Sequence, residues 1–248
     1  MSIYRKVIIP DEKMVFFVGD LHGSYDLYLK GCKDLGITPD DVVISVGDLV
    51  DRGDKNFQCV KEFTRKKNRY AIQGNHEDLM LKGFLQGSRQ HYECWYMNGG
   101  DTTLEEVGEE GVFGLCHMTK DLPVMLEIEW QGKLLGFVHG GLDTAIKDWE
   151  QFVILAHNDA RVEESLIWDR SVIDKINRNK AAGAVLYSIP VVENIDYVFH
   201  GHTPVKTPIV EGNRVYIDTG GVFNNKLTFS WFAGDTLNFY TTGDYDEL

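Results

Sequence analysis

The sequence lacks the features that mark disulfide-rich scaffolds, membrane proteins and chains of several domains joined by linkers. Its 248 residues include only four cysteines and six prolines. The cysteines form no CxxC pair, and at this density they do not predict a disulfide framework. No apolar run approaches the ~20 residues that a membrane-spanning helix requires, and we find no internal repeat or linker rich in Pro and Ser. We therefore expect one domain over residues 1–248, in a reducing, cytoplasmic compartment and without a membrane partner.

Basic side chains are also scarce. The chain has 25 Lys and Arg against 38 Asp and Glu, a formal charge of −13. Binding to a nucleic-acid backbone depends on Lys and Arg that neutralise its phosphates, so this balance argues against a nucleic-acid partner. A phosphate monoester is not excluded, because bound dications reverse the field inside a site. The oligomeric state stays open.

Glycine, in contrast, is common, and several glycines flank three polar blocks in the first third of the chain. The blocks are GDLHG at residues 19–23, GDLVDRG at 47–53 and GNHE at 74–77. Each follows a short β-branched or aromatic run, which is typical of a buried strand, and each opens a stretch with helical spacing. Asp20, Asp48 and Asn75 follow one another at intervals of 28 and 27 residues, the length of one βα repeat. This order predicts a βαβαβ unit with parallel strands at 15–18, 42–46 and 69–73.

The same layout predicts a metal site. Open α/β sheets bind ligands at the carboxyl ends of their strands, where Asp20, His22, Asp48 and Asn75 would converge. Oxygen and imidazole ligands suit divalent Mn, Fe or Zn. Metal-assisted phosphoryl hydrolysis uses two cations about 3.5–4 Å apart, a ligand that bridges them and a hydroxide in line with the leaving oxygen. Asp48, from the middle block, is the candidate bridging ligand.

The second half of the chain is predicted to be rich in strands, with a helical segment between them. Runs at 124–130 and 133–139 predict a hairpin around Gln131 and Gly132, and four further strands are expected at 197–200, 215–218, 226–232 and 237–240. Residues 143–195 are predicted to be a variable, mostly helical insertion. We expect two packed sheets with helices outside. Ser24 and Asp54 are predicted to cap the first two helices.

Two histidines in this half are candidate ligands for the second metal. His139 lies in FVHGG and His202 in FHGHTP, each at a predicted strand end and beside a glycine that lets backbone approach an ion. His200 also lies in the second motif, but it precedes the glycine and position 204 is Pro. We therefore interpret His202 as the ligand and His200 as a strand residue.

The middle and third blocks also supply groups suited to proton transfer and phosphate binding. His76 is adjacent to the candidate ligand Asn75, and an imidazolium there can protonate a leaving alkoxide. Asp51 is the natural partner that fixes its tautomer, and Arg52 offers a planar fork for two phosphoryl oxygens. Glu77 is predicted to anchor the N-terminus of its own helix.

These motifs resemble the metallophosphoesterase superfamily, and specifically the bacterial and phage members of its phosphoprotein phosphatase branch. The resemblance implies a four-layer α/β/β/α sandwich of two mixed sheets flanked by helices. It implies two divalent metal ions, with Mn as the first choice and Fe or Zn as alternatives. By resemblance, the ligands of the first metal are Asp20, His22 and Asp48, and those of the second are Asp48, Asn75, His139 and His202. The resemblance also assigns Asp51, His76 and Arg52 to catalysis, adds Arg170 from IWDR as a second phosphate-binding arginine, and places the segment WYMNGG at 95–100 beside the cleft.

The expected activity is hydrolysis of phosphoserine and phosphothreonine in proteins, with small aryl phosphates as further substrates. A symmetrical dinucleoside polyphosphate hydrolase is the alternative, and a phosphodiesterase is a weaker one. The symmetrical hydrolases resemble this chain in length, but they usually carry Ala where Asp51 stands and Asp where Glu77 stands. A catalytically inactive scaffold would have lost a metal ligand or the general acid. In this sequence every candidate ligand is present, and so is the candidate acid His76.

Overall fold

The strands of the protein form two mixed sheets. The computed structural model describes residues 2–183 and 188–243. Within them, one sheet has the spatial order β1 (Ser2–Ile8), β5 (Pro123–Trp130), β6 (Lys133–Val138), β7 (Tyr197–His200), β9 (Arg214–Tyr216) and β8 (Ile209–Glu211). The other has the order β11 (Thr236–Thr241), β10 (Thr228–Ala233), β2 (Val15–Val18), β3 (Val42–Ser45) and β4 (Arg69–Ala71).

The predicted βαβαβ unit is confirmed. Strands β2, β3 and β4 are parallel neighbours, and a helix follows each of them. The helices along the chain are α1 (Tyr25–Asp34), α2 (Asn56–Arg65), α3 (Asn75–Phe84), α4 (Arg89–Trp95), α5 (Asp101–Thr119), α6 (Trp149–Asn158), α7 (Ala160–Trp168), α8 (Ser171–Ala181) and α9 (Gly221–Asn224). The carboxyl ends of the three strands therefore lie at one edge of their sheet.

The two sheets pack face to face through aromatic side chains. Phe17 of β2 lies 4.3 Å from Phe199 of β7 and 5.5 Å from Phe137 of β6, measured between ring centroids. The neighbouring Phe16 and Val18 point to the opposite side of β2, into a core that includes residues of α1, α2 and α5. A strand buried on both faces reads as a continuous apolar run, which explains residues 15–18.

The outer face of the other sheet is covered by the helical segment after β6. Side chains of α6 and α7 pack with those of β5, β6 and β7 in one buried cluster. The layers therefore follow the order helix, sheet, sheet, helix, and the predicted four-layer sandwich is confirmed. The described part of 143–195 contains α6, α7 and α8, while residues 184–187 lie outside it. The single-domain interpretation of 1–248 stays a proposal. Among the described residues, no helix combines the length and the apolar character needed to span a membrane.

Several local predictions were wrong. Strands β1 and β8 were not predicted, and β4 ends at Ala71 rather than Gln73. Ser24 precedes α1 but its side chain makes no capping hydrogen bond. Asp54 does not cap α2, because the Glu106 carboxylate of α5 accepts the backbone N–H groups of Asn56 and Phe57. The cap comes from a residue some fifty positions away in the chain.

Candidate metal centre

The strand ends carry the predicted site residues, and much of their backbone is unusual. Among the described residues, nine that are not glycine have a positive φ, and five of these belong to the predicted site. They are His22, Asp48, Asp51, Arg52 and His202, with φ values of 44°, 49°, 75°, 72° and 67°. Such conformations are sparsely populated and concentrate at functional sites, where surrounding contacts hold them. The sharp turns aim these side chains at a common point.

Four predicted ligands have their side chains close together on one side of the site. They are Asp48, Asn75, His139 and His202. Asp48 Oδ2 lies 3.2 Å from His139 Nε2. Asn75 Oδ1 lies 3.0 Å from the same nitrogen and 2.7 Å from His202 Nδ1. All four residues are almost fully buried. The structure thus brings together the four residues predicted for the second metal.

Asp48 also faces the predicted ligands of the first metal. Its Oδ2 lies 3.4 Å from His22 Nε2. Asp20 uses Oδ2 to accept the N–H of His202 at 2.9 Å, while its buried Oδ1 has no hydrogen-bond partner among the described residues. A buried carboxylate oxygen without a partner is costly. An oxygen of this kind beside a carboxylate and imidazoles suits a divalent cation, so the donor set fits the metals that the family resemblance implies.

The ligand atoms fall into two groups that share Asp48. In each group the ligand atoms lie within 4.8 Å of one another, and the groups are His22, Asp48 and His76, and Asp48, His139 and His202. The first group contains His76 rather than Asp20, so distance alone does not separate a ligand from a neighbouring acid. The sharing of Asp48 agrees with its predicted bridging position.

Backbone carbonyl groups fix which nitrogen of two imidazoles points at the centre. His22 Nδ1 lies 2.8 Å from Val50 O, and His139 Nδ1 lies 2.7 Å from Val46 O. A carbonyl oxygen only accepts, so both of these Nδ1 atoms carry a proton and Nε2 of each ring faces the centre. Metal-binding histidines commonly have such partners.

The charges around the centre suit bound cations. Burial lowers the pKa of His22 well below its usual value and lowers that of His202 to about 3. These rings are therefore neutral, as metal ligands must be. Burial also acts to lower the pKa of His139, but the carboxylates of Asp48 and Asp20 outweigh it and raise that pKa to about 10. The same carboxylates attract any positive charge at this position, including that of a dication.

Both predicted arginines border the centre. Arg52 Nη1 lies 2.6 Å from His22 Nε2, and its guanidinium stacks over the Phe223 ring at 5.0 Å. Arg170, between α7 and α8, donates through Nε to His202 Nε2 at 2.8 Å and through Nη2 to His202 O at 3.4 Å.

His76 and Asp51 form a buried pair beside the centre. His76 Nδ1 lies 2.7 Å from Asp51 Oδ2, and the two residues are 1% and 0% exposed. Burial acts to lower the pKa of His76, but the charge of Asp48 and the hydrogen bond to Asp51 outweigh it, so the pKa is raised. A ring whose Nδ1 is held by a carboxylate presents Nε2 to the centre.

Glu77 anchors α3 as predicted, and it also organises the turn at Asp48. Its Oε2 accepts the N–H of Gly74 at 2.9 Å and that of Asp48 at 3.0 Å, while Oε1 accepts the N–H of Leu49 at 2.8 Å. Two neighbouring strand ends are thereby tied to one carboxylate.

Two residues near the site, Thr103 and Asp218, were not predicted. Thr103 hydrogen-bonds to Asp51, as does Trp95 from the segment expected beside the cleft, and the carboxylate of Asp218 is buried beside Asp20. Burial raises the pKa of Asp218 to about 6. Its signal was an Asp at the end of the predicted strand 215–218, followed by Thr219 and two glycines. His200 is a buried residue of β7 whose Nδ1 bonds to Gly140 O at 2.7 Å, in agreement with its interpretation as a strand residue.

Comparison with known proteins shows that this chain is similar to phosphoesterases. The sequence pattern of the calcineurin-like phosphoesterases matches residues 14–206. Serine/threonine-protein phosphatase 1 of Salmonella typhimurium is 30% identical over 235 residues, which cover 92% of this chain and 96% of that protein. An asymmetrical bis(5'-nucleosyl)-tetraphosphatase of Geobacillus is 26% identical and is covered over 87% of its length, with 85% of this chain aligned. A solved Saccharomyces cerevisiae serine/threonine phosphatase shares the fold, with a TM-score of 0.59 at 15% identity, over 97% of this chain and 82% of that one.

Proposed function

This chain belongs to the calcineurin-like phosphoesterase family, and on that premise we propose that it is a two-metal phosphatase of phosphoserine and phosphothreonine in proteins. We propose Mn as the metal. Asp20, His22 and Asp48 would hold one ion, and Asn75, His139, His202 and the shared Asp48 would hold the other. When bound, the ions supply Lewis-acid charge and lower the pKa of a water nucleophile.

The side chains around the metals bind the phosphoryl group and supply a proton to the leaving group. Arg52 and Arg170 bind the phosphoryl oxygens and orient the phosphorus, because a guanidinium matches them with two parallel N–H groups. His76 holds a proton on Nε2 and donates it to the oxygen that leaves as the bond to phosphorus breaks. Asp51 keeps the ring in the tautomer with a protonated Nδ1 and stabilises its charged form.

The contact between His76 and Asp51, at 2.7 Å, is the observation that carries the assignment to phosphoserine. The alkoxide of serine is a poor leaving group and needs a proton as it departs. The nucleotide released from a polyphosphate chain leaves as a stable phosphate anion, for which an acid is of little use. A buried carboxylate that keeps an imidazole protonated is therefore better matched to a phosphate monoester of an alcohol.

The charge beside the site supports the same choice. A groove of about 640 Å³ opens next to Arg52, and its described lining includes four carboxylates, Asp26, Asp54, Glu105 and Glu106, against that one guanidinium. Such a surface repels a polyphosphate chain and favours a peptide without clustered negative charge. We also propose a cytoplasmic location, in keeping with the four free thiols.

The relatives named bis(5'-nucleosyl)-tetraphosphatases give a second candidate function, hydrolysis of diadenosine tetraphosphate. We expect the purified protein in Mn to show a kcat/KM for a phosphoserine peptide well above that for diadenosine tetraphosphate. Phosphate release and nucleotide chromatography measure the two reactions, and the nucleotide products distinguish symmetrical from asymmetrical cleavage. Hydrolysis of the tetraphosphate that is orders of magnitude more efficient than that of any phosphopeptide would overturn the proposal. A sample treated with EDTA is the control, and it should hydrolyse neither substrate.

A further inference from the structure

Asp51 and Arg52 are held in a backbone conformation that needs outside support. Both have positive φ values, 75° and 72°, although neither is glycine. Residues in this region persist only when surrounding contacts over-determine them. Several of the contacts that hold them come from one short segment, residues 95–103. We call this segment the dyad brace, after the dyad formed by Asp51 and His76.

The two ends of the dyad brace bind Asp51. Trp95 Nε1 donates to Asp51 Oδ1 at 3.0 Å, and Thr103 Oγ1 donates to the same oxygen at 2.7 Å. The hydroxyl of Thr103 also accepts the backbone N–H of Asp51 at 3.1 Å. Trp95 and Thr103 are both 0% exposed. With Oδ1 occupied in this way, Oδ2 is the oxygen left for His76.

The middle of the dyad brace binds Arg52. The backbone N–H of Arg52 donates to Gly99 O at 3.0 Å, and its side-chain Nε donates to Asn98 O at 3.3 Å. Gly99 has a φ of 108°, and a Cβ there would lie 2.5 Å from Arg52 Cγ. The segment Tyr96–Gly100 lies between α4 and α5, and the backbone kinks there at Gly99.

We propose that the dyad brace positions both the carboxylate that orients the acid His76 and the arginine that binds phosphate. This inference rests on the proposed function. Trp95 and Thr103 are positioning residues, since they act through Asp51 and not on the substrate. Loss of the Thr103 hydroxyl leaves Oδ1 with the Trp95 donor alone and removes the partner of the Asp51 N–H, so the carboxylate and the ring of His76 are held less firmly.

This role predicts an effect that depends on the leaving group. An alkoxide leaves with a proton from His76, whereas the p-nitrophenolate anion leaves without much help from an acid. The quantity to measure is the ratio of kcat/KM for a phosphoserine peptide to kcat/KM for p-nitrophenyl phosphate. A substitution that merely loosened the fold or the metal site would lower both constants and leave their ratio unchanged.

Thr103→Val is expected to lower this ratio about 10-fold to 100-fold, the scale on which a small misplacement of a reacting group acts. Thr103→Ser keeps the hydroxyl and should restore the ratio. The matched control is Thr119→Val, because Thr119 is equally buried at the other end of α5 and its hydroxyl donates within that helix, to Leu115 O at 3.0 Å and to Cys116 O. The control should keep the wild-type ratio. If Thr103→Val does not fold, Thr103→Ala and Trp95→Phe provide the same comparison.

His76→Asn, measured beside these variants, separates this inference from the proposed function. If His76→Asn lowers the ratio and folded, metal-loaded Thr103→Val does not, the dyad brace has no positioning role and the proposed function stands. If His76→Asn also leaves the ratio unchanged, the acid itself is wrongly assigned and both proposals fail. A fall in the ratio for both variants, with recovery in Thr103→Ser, supports the dyad brace.

Discussion

Replacing His76 by Asn is expected to lower the rate of phosphopeptide hydrolysis by roughly 10²–10⁴, the usual contribution of a general acid. Asn keeps a polar side chain of similar reach but has no proton to give at neutral pH. The metal ligands are untouched, so the metal content should equal that of the wild type. Steady-state kinetics with saturating Mn, together with metal analysis of the purified variant, test both expectations.

His117→Asn provides the control for this experiment. His117 lies near the end of α5 and is exposed, so the same substitution there removes an imidazole without touching the centre. It should retain the wild-type rate. An unchanged rate in His76→Asn would remove His76 from the acid role, and a loss of bound metal would show instead that it is a ligand, as its place in the first group of ligand atoms allows.

Asp48→Asn is expected to abolish activity by weakening metal binding itself. The Asp48 carboxylate faces His22 on one side and His139 on the other, and no other predicted ligand belongs to both ion sites. A neutral amide in its place removes the negative charge that the two cations would share. The loss of affinity should exceed the roughly 10–100-fold that removal of a residue behind the ligands costs.

Titration with Mn, followed by activity and by calorimetry, measures this loss. Asp235→Asn is the matched control, because Asp235 is exposed and pairs with Lys133 outside the centre. Its affinity for Mn should be that of the wild type. If Asp48→Asn binds two equivalents of Mn with unchanged affinity, Asp48 does not bridge the metals.

The parts of the fold that follow from local sequence were predictable. Apolar runs that end in GD or GN give the strand ends, and the spacing of Asp20, Asp48 and Asn75 gives the parallel βαβαβ order. His139 and His202 were found because each follows a strand and lies beside a glycine. The structure brings the predicted metal ligands together at the carboxyl ends of strands in both sheets, and Arg170 reaches them from the turn between α7 and α8.

The parts that depend on distant contacts were not predictable. The short strand β8 is an edge strand paired on one side only, so its sequence needs no continuous apolar run. The cap of α2 comes from Glu106 of another helix, a contact that no local pattern encodes. Trp95 and Thr103 reach Asp51 across 44 and 52 residues of chain, and their own neighbourhood gives no sign of the partner. Sequence showed which groups perform the chemistry, and the structure was needed to show what holds them in place.

The central claim is that two metal ions share Asp48, and anomalous diffraction from crystals grown with Mn tests it most directly. The account predicts two Mn peaks about 3.5–4 Å apart, both in contact with the Asp48 carboxylate. Asp20 and His22 should ligate one ion, and Asn75, His139 and His202 the other. A single Mn peak at full occupancy, or two ions that do not share Asp48, would contradict it.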